Sequence, residues 1–169
     1  MIWQYILLSV SAVLFFGFVV LCVKKFGLLS CYSAYGAKWM PEYASQINWW
    51  SMVTIGSALL LVPVLLEGSE DSMFQFTGFL APVFITLVGA TPNYQENKQA
   101  FWTHQIGAWG TVLFVSVYAF VIPHLLWIIL ALLVVMLVVS LFTGIKQTWM
   151  FWAEMAMYIS TYLILFIMV

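Results

Sequence analysis

The chain has 169 residues, of which 65% are hydrophobic and 7% charged, and its formal net charge is −1. Soluble domains carry about 25% charged residues, so a chain this apolar cannot cover itself for water and takes lipid as its solvent. That excludes a single soluble domain, and five lysines with no arginine exclude nucleic-acid binding.

A helix needs about 20 mostly apolar residues to cross a bilayer, and six stretches meet that requirement. The first, Ile2–Val23, ends at Lys24-Lys25. No basic stretch precedes it, it is longer than the apolar core of a signal peptide, and no small-x-small cleavage pattern ends it, so it is expected to stay in the mature protein. The loop after it, about residues 24–46, sets Tyr32, Tyr35, Lys38, Trp39, Glu42 and Tyr43 among small residues. Aromatics with lysine are the composition of an interfacial segment. Part of the loop is therefore expected along the membrane surface, as an aromatic belt or as a lid over a pocket.

The second span, Ile47–Leu66, is closed by Glu67-Gly68-Ser69-Glu70-Asp71. The third, Met73–Ala90, carries Pro82, which should kink it and free a carbonyl. It ends at the polar run Thr91 to Lys98. The fourth, Gln105–Ile122, stops at Pro123. The fifth, His124–Thr143, is apolar except for Ser140 over Leu125 to Phe142, and is expected to face lipid. After Gly144-Ile145-Lys146-Gln147 the sixth, Trp149–Val169, completes the chain. The predicted fold is an all-α bundle of six transmembrane helices, one integral membrane domain over residues 1–169.

Lysine sets the orientation. Lys24, Lys25 and Lys38 fall in the first loop, Lys98 in the third and Lys146 in the fifth. With six spans all five lie on one side, which the positive-inside rule makes cytoplasmic. Both termini are then outside, with Glu67, Glu70 and Asp71. Cys22 and Cys31 lie on the cytoplasmic side and are expected as free thiols.

Three spans carry weakly polar stripes at helical spacing. They are Gln75, Gly78, Pro82, Thr86 and Gly89; His104, Gly107, Ala108, Thr111 and Tyr118; and Gln147, Glu154, Tyr158, Thr161 and Tyr162. Small and hydroxyl residues let helices approach in lipid, so the stripes predict packing, or a pocket between helices. Glu154 falls about six residues into the last span, roughly 9 Å deep. A carboxylate there must be paired or protonated, and intramembrane acids are functional candidates. Its expected partners are His104, Tyr158, or Lys146 and Lys98; alternatively it reaches back to the headgroups or caps a helix. His104 and His124 bracket the fourth span, about 30 Å apart. They cannot share a haem or a metal, and no cofactor is expected.

Val88-Gly89-Ala90-Thr91-Pro92, then eleven residues, then His104-Gln105-Ile106-Gly107-Ala108 is the most distinctive stretch. It resembles an uncharacterised group of small bacterial inner-membrane proteins, in which one span ends in G-A-x-P and the next begins with H-x-x-G-A. Phe79-Leu80-Ala81 and Pro63-Val64-Leu65-Leu66-Glu67 extend the likeness over residues 24–120. The resemblance implies a six-helix bundle in a bacterial cytoplasmic membrane and brings no activity. Pro92 would stop the third helix. His104 would sit near the first turn of the fourth, where the helix amino end disfavours positive charge, as a neutral ring bonded to Glu154 or Tyr94.

Three functions fit the sequence. A binding or transport bundle would place a cytoplasm-facing pocket near Glu154 and His104, with Tyr158, Thr111, Tyr94 and Glu96 as further ligand-contacting candidates. A hydrophobic subunit of a larger membrane complex, respiratory complexes included, or a homo-oligomer would suit the minimal loops. A lipid-modifying enzyme would use His104, Glu154, Glu96 and a tyrosine. The first is the leading expectation, with membrane lipid as the surrounding partner.

Overall fold

The structure is a computed structural model that describes residues 2–40 and 48–169, with residues 145 and 146 described by backbone only. Seven α-helices, and no strand, occur among the described residues: α1 (Ile2–Phe26), α2 (Ala34–Lys38), α3 (Trp49–Glu67), α4 (Gln75–Gly89), α5 (Lys98–Val121), α6 (Leu126–Thr143) and α7 (Ile145–Met168). Five of them are long and apolar enough to cross a membrane; α4 is a shorter apolar helix. The chain is thus an all-helical bundle with the makings of a multi-pass membrane protein. Glu42, Tyr43 and the expected start of the second span at Ile47 lie outside the described residues.

The helix ends depart from the hydropathy boundaries for local reasons. α1 runs one turn further, through both lysines, to Gly27, whose φ of 75° is a conformation that glycine alone adopts without strain. α5 starts seven residues before the expected Gln105, because the Asn97 side chain accepts from the backbone N–H groups of Gln99 and Ala100. Asn97→Ala is expected to cost about 1 kcal/mol. Thermal unfolding in detergent would read this as a lower midpoint, which Asn97→Asp restores. Pro123 ends α5, and the turn is closed by the Leu125 N–H donating to the Ala119 carbonyl. His124 lies in this turn at φ 54°, so α6 begins after it rather than with it. Gly144, at φ 91°, ends α6 and starts α7 at Ile145, four residues before the expected Trp149.

Neighbouring helices pair as hairpins: α3 with α4, α4 with α5, and α6 with α7, while α1 lies on α3. The glycines of the polar stripes are packing devices, as small residues are in lipid. A Cβ on Gly107 would stand 2.8 Å from the Phe84 carbonyl oxygen, and one on Gly78 3.2 Å from Leu65. At one end of the bundle the Tyr118 hydroxyl donates to the Leu65 carbonyl, tying α5 to α3, and Met168 of α7 lies beside it. The α6–α7 hairpin leans on the rest through α7; α6 buries only Ile128, Ile129 and Ser140 and bares most of its surface, in keeping with the lipid-facing expectation.

The first loop corrects the sequence reading. Among its described residues after α1, Gly27 and Ser30 at the near end and Lys38 and Met40 at the far end are exposed. Cys31, Tyr32, Ser33, Tyr35 and Gly36 are buried inside the bundle rather than lying along a surface, with Tyr32 1% and Tyr35 0% exposed. The aromatic rings that suggested a belt stack inward: Tyr32 packs on Phe15, Trp50 and Tyr158 at centroid distances of 5.2, 5.6 and 5.9 Å.

Candidate functional site

The site is built where this loop meets the first turns of α7. The Phe151 N–H donates to the Ser30 carbonyl at 3.0 Å, seating the loop on α7. Glu154 lies nine residues past the start of α7 at Ile145, about 14 Å along the axis at 1.5 Å per residue. That is further along the helix than the sequence placed it, because α7 begins four residues before the expected Trp149. Its carboxylate accepts from the Tyr32 N–H (2.5 Å) and the Ser33 hydroxyl (3.4 Å). Both partners are neutral donors on the buried loop. Neither His104 nor Tyr158 is hydrogen-bonded to it, and the Lys146 side chain is not among those described.

His104 is buried at 3% exposure in the second turn of α5, not the first, because the helix starts at Lys98. It takes Thr91 rather than Glu154 or Tyr94 as hydrogen-bond partner. The Thr91 hydroxyl donates to the Leu87 carbonyl at 2.8 Å, which leaves its oxygen to accept from His104 Nδ1 at 3.3 Å. The Tyr94 ring stacks flat on the imidazole, 3.9 Å between centroids and 14° between planes. The proline loop thus holds His104 from two sides.

A chain of side chains joins the two halves. The Tyr94 hydroxyl meets Cys31 Sγ at 3.5 Å, Ser33 Oγ meets the same sulfur at 3.5 Å, and Ser33 continues to Glu154. Gln95, exposed, donates to the Tyr94 hydroxyl at 3.1 Å and forms the outer end. Burial pushes the Tyr94 phenol up to about 12, and burial likewise raises Tyr32 and Tyr35. A phenol held above its ordinary value near 10 contributes stability that is complete below that value and is lost between about pH 10 and 12. The tyrosinate absorbance missing from Tyr94→Phe is expected to develop near pH 12 in the parent; development near pH 10 would mean an open site.

Towards mid-bundle lies a cavity of about 50 Å³, bounded by α1, α3, α4, α5 and α7. One water requires about 10–15 Å³. Tyr158 lines it one turn beyond Glu154, with Thr111, Thr161, Thr54, Ser57 and Pro82. Most of these hydroxyls already have partners. Thr111 donates to the Gly107 carbonyl, Thr161 to Met157 and Ser57 to Thr54, and Thr54 meets the Tyr32 hydroxyl at 3.0 Å. Deeper in, Ser11 donates to the Ser57 carbonyl at 2.8 Å and lies 2.7 Å from the Tyr162 hydroxyl.

Of the six residues expected at a site, the structure brings Glu154, His104 and Tyr94 into one chain, and Tyr158 and Thr111 into the cavity beneath. Glu96 stands apart, exposed in the turn before α5. Ser33, Cys31, Thr91 and the Ser11–Tyr162 pair were missed. Thr91 sits inside the G-A-x-P motif and could have been read from it; Ser33 and Ser11 carry no local signal. Cys22 and Cys31 are both free and buried thiols. No family model matches the chain, and neither a curated protein nor a solved structure matches it.

Proposed function

We propose that the chain is a six-span protein of a bacterial cytoplasmic membrane that binds or transports a small ligand through the central cavity, with Glu154 as the acid that couples binding to a proton. In this reading α4 is the sixth crossing. Its 15 residues reach about 22 Å, short of the roughly 30 Å hydrocarbon core, and the residue 68–74 turns and local thinning of the bilayer make up the difference. The lysine-bearing end faces the cytoplasm, because that arrangement keeps every lysine inside. Both termini are then outside.

The observation that carries the functional reading is the placement of Glu154. Apart from Glu67, the last residue of α3, it is the one acid in the long apolar helices among the described residues. It stands between a hydrogen-bonded chain leading out to Gln95 and, one turn on at Tyr158, a largely apolar cavity leading inward. A carboxylate kept in lipid against neutral donors alone is costly as a structural element, and proton relays are a use for such acids.

The test is proton uptake in liposomes holding the purified protein and a trapped pH dye, under an imposed membrane potential. The wild type is expected to acidify the lumen faster than empty liposomes, and Glu154→Gln to fall to the empty-liposome rate. Equal rates for wild type and Glu154→Gln would remove Glu154 from the mechanism.

A further inference from the structure

No residue of the first loop lines the cavity, but Tyr32 touches three that do, Phe15, Thr54 and Tyr158, and the loop has the anatomy of a latched plug. Residues 28–40 enter the bundle at Gly27, whose left-handed φ and open surroundings make it a pivot. The loop is pinned at both ends and in the middle. At the entry the Tyr35 hydroxyl donates to the Gly27 carbonyl at 2.6 Å. At the far end the Trp39 indole N–H reaches Cys22 Sγ at 3.2 Å, and the Lys25 ammonium covers the Trp39 ring at 4.0 Å. In the middle sits Glu154, joined to Tyr32 and Ser33. Gly36 presses on the Trp50 ring so closely that a Cβ would meet it at 3.0 Å. The Trp50 indole N–H beneath is fully buried and lacks a hydrogen-bond partner. An unpaired buried donor disfavours the closed arrangement.

We propose that residues 28–40 gate the cavity, latched by the Glu154 carboxylate and released when that carboxylate takes a proton. The inference rests on the transport reading above for its purpose, though not for its geometry. The balance is simple: a proton from water on the lysine-bearing side becomes the O–H of a neutral carboxylic acid, and one negative charge disappears. The oxygen facing the Tyr32 N–H then either carries a proton against another donor or accepts as a neutral group. Hydrogen bonds to a charged acceptor are about twice as strong as neutral ones, so both latch bonds weaken together. The titratable groups around the latch are Tyr32 and Cys31 on the plug, Tyr158 on α7 and Cys22 on α1. Lys146, two turns back on α7, is the cation in the same helix.

Cys22 is a built-in reporter. It is 0% exposed and lies under Trp39, so a thiol reagent reaches it when the plug lifts. The experiment labels the full-length Cys31→Ser protein, in which Cys22 is the sole thiol, with a maleimide in mild detergent. Each rate is divided by that of the same protein unfolded in SDS at the same pH, which cancels thiol ionisation. Adding Glu154→Gln is expected to raise the ratio about tenfold at neutral pH. In the Glu154 parent the ratio is expected to rise as pH falls, and in Glu154→Gln to stay flat. Ser33→Ala, which removes one latch bond, is expected to fall between them and serves if Glu154→Gln aggregates. Ratios equal in all three proteins and independent of pH would overturn the latch. Faster labelling in Glu154→Gln with no proton uptake by the wild type would keep the latch and refute the transport reading. Proton uptake with unchanged labelling would do the opposite.

Discussion

Gly107→Leu is expected to destabilise the bundle by about 3 kcal/mol, near the top of the range for overpacked cores. A Cβ at this position stands 2.8 Å from a main-chain oxygen of α4, and 3.0 Å from Leu87 and Val88 as well. A backbone carbonyl cannot rotate out of the way, so the α4–α5 seam must part to admit a side chain. In lipid that seam has little hydrophobic driving force to reclose it and depends on close contact. Gly107→Ala should show a smaller loss in the same direction. Gly56→Ala is the control, because nothing lies within 4 Å of its added Cβ. Removing a mid-helix glycine there should stabilise by roughly 0.5–1 kcal/mol. Titrating the folded protein with SDS and following its helicity measures all three. A Gly107→Leu protein as stable as the parent would show that α4 and α5 do not pack this closely.

Glu154→Lys is expected to prevent folding, while Glu154→Gln folds close to normally. The carboxylate accepts from two donors, the Tyr32 N–H and the Ser33 hydroxyl. Lysine brings a third donor and a positive charge into the same space, with no acceptor to receive it. An uncompensated charge costs about 3–5 kcal/mol when fully buried; at half-buried position 154 the lower end of that range is still a large share of the roughly 5–15 kcal/mol that holds a typical protein folded. Glutamine keeps the length and one acceptor oxygen, so it preserves at least one bond. Membrane-inserted yield and gel-filtration profile distinguish the two variants. A monodisperse Glu154→Lys protein would mean that position 154 faces water or headgroups, as a snorkelling residue would.

The sequence makes the helices legible because lipid requires long apolar runs, and each expected span has a helix at its centre. The boundaries were harder for identifiable reasons. Residues 98–104 are too polar for a hydropathy window, yet Asn97 caps them into α5. Gly144 permits a left-handed turn tight enough for α7 to begin at once. These two shifts put His104 in the second turn of α5 and Glu154 nine residues past the start of α7. The stripes at Gly78, Gly89 and Gly107 correctly announced close packing. Glu154 stood out by charge alone, but its partners could not be read, since Ser33 lies 121 residues away in sequence. For the first loop the sequence left a surface belt and a lid both open, because the aromatic composition of an interface and of a buried plug is the same. Only the third dimension shows that Tyr32 and Tyr35 turn inward onto Phe15 and Phe151.

Residues 28–40 of the first loop are folded into the bundle and seated on the head of the last helix. Disulfide trapping tests it directly. The Ser30 carbonyl and the Phe151 N–H are 3.0 Å apart, which puts the two residues within disulfide reach. In a Cys22→Ser, Cys31→Ser background, Ser30→Cys with Phe151→Cys is expected to cross-link nearly completely under mild oxidation in native membranes and to run faster on a non-reducing gel. A double mutant that stays reduced, while Leu65→Cys with Gly78→Cys, whose β-carbons stand 3.2 Å apart, cross-links in the same background, would contradict it: the helices would be assembled and the loop would lie elsewhere.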